Sequence, residues 1–157
     1  MSILEMGEGR LDSRSETETL ALGARMGERI EPGEAILMVG SLGTGKTRLT
    51  KGVADGLGIG AEARVRSPSF SLVNVYKGDP VLYHADLYRL SEQEVPGLAM
   101  EEIWDGRGAL VVEWAERIPV PARPPVALWV RLEHTVKPET RRISWGKTPP
   151  PPTPGCW

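Results

Sequence analysis

The sequence predicts an α/β domain of three layers, with helices on the faces of a mixed, partly antiparallel central sheet. Two unbroken apolar runs, 35–39 and 109–112, are typical of strands that are buried on both faces. A glycine-rich loop and a helical pattern follow the first run, an order that is typical of α/β folds. Two β-rich runs, 71–76 and 81–85, flank a turn of sequence KGDP and predict an antiparallel hairpin.

The first half of the chain is expected to alternate helix, strand and helix. Two overlapping Ser-x-x-Glu capping boxes, which begin at Ser13 and Ser15, predict a helix over 16–29. The apolar run 35–39 has the length and composition of a central strand. Apolar residues then recur every four positions over 46–58, which predicts a second helix that ends at a glycine.

The second half is expected to be richer in strands. A capping box that begins at Ser91 predicts a short helix, which a Pro-Gly pair interrupts before it resumes as far as Trp104. The run 109–113 predicts a second buried strand that ends in an acid. Two later runs, 126–133 and 141–145, predict strands at an edge of the sheet.

Length and proline content define the domain organisation. A chain of 157 residues is expected to form one domain, which we assign to 1–146. The last segment, 147–157, reads KTPPPPTPGCW and predicts a disordered tail with polyproline character.

Charge and cysteine content exclude several classes of protein. Nineteen Lys and Arg against twenty-one Asp and Glu give a net charge of -2, and no basic block occurs, so charge-driven binding to nucleic acid is not expected. The single cysteine, Cys156, cannot form a disulfide framework and fits a reducing compartment. No stretch approaches the roughly 20 apolar residues that span a bilayer. We therefore expect a cytoplasmic protein that does not contact membranes.

The glycine-rich loop carries the clearest chemical signal. Residues 40–47, GSLGTGKT, match the phosphate-binding pattern G-x-x-x-x-G-K-[ST] in full. In such a loop the glycines let backbone N–H groups converge on phosphate oxygens, the lysine reaches the β and γ phosphates, and the hydroxyl binds Mg²⁺. Lys46 and Thr47 occupy these two positions. The predicted fold is therefore a P-loop NTPase fold, and no N-K-x-D motif for guanine follows, so ATP is the expected nucleotide.

Two acids at the ends of predicted strands complete the expected site. Glu113 has the better pattern for holding Mg²⁺ through water, and Asp86 is expected near the γ phosphate, either close to the metal or as the base that orients water. Either residue could instead be a solvated acid at a strand end. Lys46 and Asp86 are accordingly the candidate catalytic residues. Since no arginine is an obvious finger, intrinsic hydrolysis is expected to be slow.

Four ordered motifs resemble those of one family. The loop 40–47, the segment SPSF at 67–70, HADLYRL at 84–90 and VEWAE at 112–116 are similar to motifs of the TsaE (YjeE) family, the small ATPase of bacterial threonylcarbamoyladenosine (t6A) tRNA modification. The resemblance implies an ATPase that is weak alone and is stimulated by its partners TsaB and TsaD. These partners transfer threonylcarbamoyl to N6 of adenosine 37, so contact with tRNA would be indirect.

The same resemblance assigns roles to residues. Thr47 and Glu113 would ligate Mg²⁺, and Asp86 would act near the γ phosphate. The segment Ser67, Pro68, Ser69 and Phe70 would form a nucleotide-sensing, switch-like loop, and His84 and Trp114 would lie beside the site. The nucleotide would be bound by Glu16, near the adenine, and by Gly40, Gly43, Thr44, Gly45, Lys46, Thr47, Arg48 and Asp86.

Other interpretations stay open on the sequence alone. A small-molecule kinase would use the same loop with a mobile lid, for which 60–66 is the only candidate. A nucleotide-gated binding module would use ATP to fix a conformation and hydrolysis only to reset it. His84 could be a packed strand histidine, and Lys51, Arg64 and Arg66 could be solvated charges rather than a phosphate-facing or partner-facing patch.

Overall fold

A mixed sheet forms the centre of the computed structural model, which describes residues 1–68 and 71–151. In chain order its strands are β1 (Gly9–Ser13), β2 (Ala35–Val39), β3 (Val73–Tyr76), β4 (Leu82–Asp86), β5 (Ala109–Glu113), β6 (Ala127–His134) and β7 (Arg141–Gly146). Across the sheet their order is β1-β7-β6-β2-β5-β4-β3. Strands β4, β5, β2 and β6 are parallel neighbours, whereas β3, β7 and β1 pair antiparallel. The predicted α/β class with a mixed, partly antiparallel sheet is confirmed.

Two α-helices cover one face of the sheet. These are α1 (Glu16–Gly27) and α2 (Lys46–Gly56), so both helices predicted in the first half of the chain are present, and each ends two residues before its predicted end. Ser15 caps α1 by accepting a hydrogen bond from the Glu18 amide at 3.1 Å, as its capping box predicts. The core on this face joins side chains of both helices to the central strands: Leu22, Met26, Leu49, Val53, Ile36, Met38, Val111 and Val130.

The two helices pack with their backbones in contact. Their interface is a seam of four glycines, two from each helix: Gly23, Gly27, Gly52 and Gly56. A Cβ atom on Gly52 would lie 2.3 Å from the carbonyl oxygen of Leu20, and one on Gly23 would lie 2.4 Å from that of Leu49. Since no side chain fits there, the seam fixes the start of α1 beside the first turn of α2.

The third layer, on the opposite face, consists of loops with 3-10 turns. Short turns at Val95–Gly97, Met100–Glu102, Ala115–Arg117 and Val120–Ala122 place apolar side chains on the sheet. The short helix predicted from Ser91, interrupted at Pro96 and Gly97 and resuming as far as Trp104, is therefore wrong as an α-helix, because only separate 3-10 turns form there. The capping box itself forms, with the Ser91 amide 2.7 Å from a Glu94 carboxylate oxygen. The proline at 96 then removes an N–H donor and disfavours α geometry at the residue before it, so only single turns follow.

The prediction that 126–133 and 141–145 are edge strands is also wrong. β6 lies between β2 and β7, and β7 lies between β6 and β1. The edge is taken by β1, whose sequence GRLDS carries no clear strand pattern because Leu11 is its only apolar side chain. The segment before β1 is fixed by Glu34, whose carboxylate accepts hydrogen bonds from Ser2 and from the Ile3 amide. Ile3 is fully buried in the core.

The chain after β7 is described only as far as residue 151. Residues 147–151 contain no helix or strand, and the Arg131 guanidinium donates a hydrogen bond to the Pro151 carbonyl. Residues 152–157 lie outside the described residues, so the disorder expected for 147–157 stays a prediction. In the two described stretches no helix has both the length and the apolar character needed to cross a membrane.

Candidate functional site

The carboxyl ends of β2, β4 and β5 meet the N-terminus of α2 around a cavity of about 310 Å³. The cavity is lined by most of the residues that the sequence predicts for the site: Glu16, Gly43, Thr44, Gly45, Lys46, Thr47, Arg48, Ser67, Asp86, Glu113 and Trp114. The cavity is also lined by Leu42, Lys51 and Tyr88, which were not predicted as site residues from the sequence.

The other predicted residues lie around this cavity. Gly40 is at the base of the loop, and His84 is buried behind Glu113. Pro68 lines a neighbouring groove together with Asp86 and Arg89. Ser69 and Phe70, the second half of the predicted switch-like loop, lie outside the described residues.

The loop 40–47 has a backbone that requires glycine. Gly43 and Gly45 have φ angles of 74° and 101°, which side-chain-bearing residues rarely adopt. A Cβ on Gly40 would lie 2.5 Å from the carbonyl oxygen of Leu132. Gly45 is the N-cap of α2 and has no side chain, so the backbone N–H groups of the first turn face the cavity, where an anion would be stabilised by them and by the helix dipole.

The Lys46 side chain lies within this loop and is 5% exposed. Its ammonium group donates hydrogen bonds to the carbonyl oxygens of Gly40 at 2.7 Å and Ser41 at 2.8 Å. It also lies 4.5 Å from the centre of the Trp114 ring, which stabilises a cation over its face. An anion in the loop would therefore lie beside a buried, pre-oriented positive charge.

Polar side chains from four different segments form a hydrogen-bonded cluster behind the loop. The Thr47 hydroxyl lies 2.6 Å from the Ser67 hydroxyl and 3.0 Å from Glu113 Oε1. Ser67 also donates to Glu113 Oε2 at 3.2 Å, and His84 Nε2 lies 2.5 Å from the same oxygen. Glu113 is 3% exposed, so its carboxylate is held almost entirely by protein groups.

The oxygens of this cluster fit a magnesium ion. Mg²⁺ prefers oxygen ligands, retains several waters, and binds through one or two protein side chains together with phosphate oxygens. Thr47 and Glu113 supply a hydroxyl and a carboxylate 3.0 Å apart at the end of the loop, close enough to reach one ion directly or through its waters. The described residues contain no group of three or more His, Cys, Asp or Glu that would form an all-protein cage.

Asp86 lies at the end of β4, directly opposite Glu113 in the register of the two strands. Its Oδ1 accepts a hydrogen bond from the Tyr88 amide at 2.9 Å. Burial raises the pKa of the Asp86 carboxyl, and the neighbouring Glu113 charge adds to the increase. A carboxyl of raised pKa that faces the cavity is suited to accept a proton.

Trp114 forms the wall of the cavity next to Lys46. Its backbone is left-handed, with φ 60° and ψ 41°, which is uncommon for a residue with a side chain. The ring packs against Tyr88 with centroids 5.0 Å apart and lies 5.8 Å from the Arg117 guanidinium. Arg117 in turn donates hydrogen bonds to the carbonyls of Leu87, Tyr88 and Leu90, so it ties the loop after β4 to this wall.

Glu16 and Arg48 form an ion pair at the cavity mouth, with Arg48 Nη2 3.1 Å from Glu16 Oε2. The glycine seam between α1 and α2 brings these two side chains together. The Glu16 side chain is 75% exposed, so the pair adds little to stability and leaves both groups accessible.

Two contacts of the site were not foreseen from the sequence. Ser67 was expected only as part of a sensing loop, yet its hydroxyl contacts both Thr47 and Glu113. Tyr88 was named only as part of the motif at 84–90, yet its ring packs against Trp114 and is 48% exposed at the cavity rim. Their membership in the motifs at 67–70 and 84–90 was the available signal, but motif membership gives no distances.

Comparison with known proteins gives one consistent family. The family model described as Threonylcarbamoyl adenosine biosynthesis protein TsaE matches residues 13–143. A Nostoc protein named tRNA threonylcarbamoyladenosine biosynthesis protein TsaE is 45% identical over 106 residues, which span 64% of this chain and 64% of that protein, less than two thirds of its length. A Treponema pallidum protein of the same name is 40% identical over 110 residues, 69% of this chain and 80% of its own.

A solved structure shows the same fold. The crystal structure of YdiB from Bacillus subtilis matches with a TM-score of 0.67 and 28% sequence identity, over 88% of this chain and 84% of YdiB.

Proposed function

Because the chain belongs to the TsaE family of tRNA threonylcarbamoyladenosine biosynthesis, we propose that it binds ATP with Mg²⁺ and hydrolyses ATP slowly as an accessory step of t6A formation. The observation that carries the proposal is the cluster at the end of the phosphate loop. There Thr47, Glu113 and the loop backbone lie together on one side of a cavity that Asp86 also faces.

The family membership also suggests which proteins the chain works with and where in the cell it acts. We propose that the chain acts with TsaB and TsaD and reaches tRNA only through them, in the cytoplasm. Its net charge of -2 supports this indirect role, because a protein that gripped tRNA alone would need a basic face to neutralise phosphates.

Five side chains and the backbone of the phosphate loop have roles in the proposed hydrolysis of ATP. The backbone N–H groups of the loop and the Lys46 ammonium bind the phosphates and hold them against the N-terminus of α2. Thr47 and Glu113 would hold the metal ion, which would neutralise phosphate charge when bound. Asp86 accepts a hydrogen bond from the attacking water and orients it, and its raised pKa suits it to take up the proton. The Trp114 ring excludes bulk water from the side of the cavity next to Lys46.

The proposal predicts a specific loss in two variants. Thr47→Ala and Glu113→Ala are expected to weaken ADP and ATP binding in the presence of Mg²⁺ by at least about tenfold, since each removes one metal-holding group. Titration calorimetry with and without Mg²⁺ measures this loss. Thr47→Ser, which keeps the hydroxyl, and Glu139→Ala, at an exposed acid, are the matched controls. Unchanged Mg²⁺-dependent affinity in both alanine variants would contradict the proposal.

A second measurement separates this function from a kinase. ADP release by the chain is expected to rise with TsaB and TsaD and to stay at its basal rate with nucleosides or small metabolites. Stimulation by a metabolite alone would favour the kinase interpretation. Partner binding that needs ATP but proceeds equally with a slowly hydrolysed analogue would favour a nucleotide-gated binding module.

A further inference from the structure

His84 is buried next to the carboxylate on which the proposed metal site depends. It lies on β4 opposite Val111 of the parallel strand β5, and Glu113 follows Val111 by two residues on β5. Side chains at these positions point to the same face of the sheet, so the imidazole lies beneath the carboxylate. His84 is fully buried, and its Nε2 is 2.5 Å from Glu113 Oε2.

The other imidazole nitrogen shows what His84 contributes. Within the described residues, His84 Nδ1 is buried and has no hydrogen-bond partner. A buried polar atom without a partner lowers stability, so an apolar side chain of similar size would serve better if packing were the only requirement. The single hydrogen bond to Glu113 is therefore the feature that distinguishes histidine from leucine at this position.

The hydrogen bond also fixes the orientation of the carboxylate. A carboxylate only accepts hydrogen bonds, so the imidazole proton lies on Nε2 and the ring donates to Oε2. With Oε2 held by His84 and Ser67, Oε1 is the oxygen nearer to the Thr47 hydroxyl, at 3.0 Å against 3.3 Å for Oε2. Without the imidazole, a glutamate side chain with three rotatable bonds has more than one way to turn at the end of β5.

We propose that His84 is a positioning residue, which holds the Glu113 carboxylate in the orientation that binds Mg²⁺ together with Thr47. The inference rests on the proposed function, because it requires Glu113 to hold the metal. His84 touches neither the nucleotide nor the reacting atoms in this assignment, and its effect passes entirely through Glu113.

The test measures the affinity of the full chain for ADP, once with saturating Mg²⁺ and once with EDTA. The ratio of the two dissociation constants is the gain due to Mg²⁺. His84→Leu is expected to reduce this gain by about 10- to 100-fold, the usual effect of removing a residue that orients a metal ligand, while the affinity in EDTA changes by less than about twofold. His84→Gln places an amide N–H near the Nε2 position and is expected to retain most of the gain.

Two further variants separate positioning from folding. His84→Asn carries the same amide as His84→Gln on a shorter side chain that does not reach Glu113. It is therefore expected to lose the gain due to Mg²⁺, as His84→Leu does, and it serves as the substitute test if the His84→Leu protein does not fold. Leu82→Ala removes a fully buried side chain from the same face of β4 without touching Glu113. It is expected to lower the midpoint of thermal unfolding and to leave the Mg²⁺ gain unchanged.

The outcomes distinguish the inference from the proposed function. A gain that is present in the wild type, lost in Glu113→Ala and retained in His84→Leu and His84→Asn overturns the role of His84 alone. Equal losses in His84→Gln and His84→Asn also overturn it, because the reach to Glu113 would then not matter. A wild type without any gain, or a gain that survives in Glu113→Ala, overturns both the inference and the metal site of the proposed function.

Discussion

At the scale of single residues, Asp86 shows a conflict between stability and chemistry. Its carboxyl group is partly buried beside Glu113, and both the burial and the neighbouring charge disfavour its ionised form. The hydrogen bond from the Tyr88 amide and the Lys46 charge act in the opposite direction but do not cancel the effect, so the pKa of Asp86 lies above the ordinary value of an aspartate carboxyl. An ionised Asp86 therefore lowers the free energy of unfolding at neutral pH.

This conflict predicts a pH-dependent gain of stability in Asp86→Asn. The asparagine keeps the oxygen that accepts the Tyr88 amide but carries no charge. A carboxyl whose pKa is higher in the folded than in the unfolded protein lowers stability fully above the folded-state pKa and not at all below the unfolded-state pKa. The variant should therefore be more stable than the wild type at pH 7, and this difference in stability should shrink as the pH falls toward 3.8. Urea denaturation at several pH values measures the difference.

The same variant should lose ATP hydrolysis, since it can no longer accept a proton from water. Asp55→Asn, at an exposed position on α2, is the control and should show no such pH dependence. An Asp86→Asn protein that is less stable than the wild type at pH 7, or a stability difference that does not vary with pH, would contradict this account.

The residues of the phosphate loop could be placed from the sequence, whereas the contacts of Ser67 and His84 could not. The loop pattern fixes backbone geometry and chemistry together, because Gly43 and Gly45 need conformations that few other residues adopt. Ser67 lies outside the helices and strands, so no local pattern indicates its partners, and the partner of His84 depends on which strands are neighbours and on their register. That information lies in the pairing of β4 with β5, which the local pattern of neither strand specifies.

At the scale of elements, the glycine seam between α1 and α2 determines where the site's helical groups lie. In an open helix, replacing glycine with alanine stabilises by about 1 kcal/mol. In the seam the sign should reverse, because the added Cβ would lie about 3 Å or less from the backbone of the other helix. The close packing is therefore a structural requirement that helix propensity opposes.

Gly52→Ala is expected to lower the free energy of unfolding by roughly 1–3 kcal/mol, the usual cost of overpacking. Its Cβ would meet the Leu20 carbonyl oxygen at 2.3 Å, and the shift of α2 should also weaken ADP binding, since Lys46 and Thr47 lie in the first turn of that helix. Gly97→Ala, at a position with no atom within 4 Å of the added Cβ, is the control in the same denaturation experiment. A Gly52→Ala protein as stable as the wild type would show that the seam is not closely packed.

Elements with strong local patterns could be predicted, and those set by tertiary packing could not. The strands at 35–39 and 109–113 and the two helices were predicted because apolar periodicity and capping boxes act locally. The edge strand β1 was missed because it has a single apolar side chain, Leu11, and the helix expected after Ser91 does not form as an α-helix because a proline follows its cap. In both segments tertiary contacts with the sheet outweigh the local sequence preference: β1 pairs its backbone with β7, and the segment after Ser91 packs apolar side chains on the sheet.

At the scale of the whole molecule, the described residues form a cavity beside the phosphate loop, and the chain as a whole carries no excess of positive charge. Family membership links the chain to t6A biosynthesis, and the cavity holds the residues to which we assign the proposed binding and hydrolysis of ATP. Since a net charge of -2 gives the chain no overall electrostatic attraction to tRNA, we propose that nucleotide turnover at Glu113 and Thr47 supports modification that partner proteins carry out.

Multiple-turnover formation of t6A in a reconstituted reaction tests this claim most directly. The reaction contains the full chain, TsaB, TsaD, unmodified tRNA, the threonylcarbamoyl donor, ATP and Mg²⁺, and t6A per tRNA is measured by mass spectrometry of the nucleosides. We predict repeated rounds of modification with the wild type and Thr47→Ser, and none with Thr47→Ala or Glu113→Ala. Full modification with either alanine variant would contradict the account.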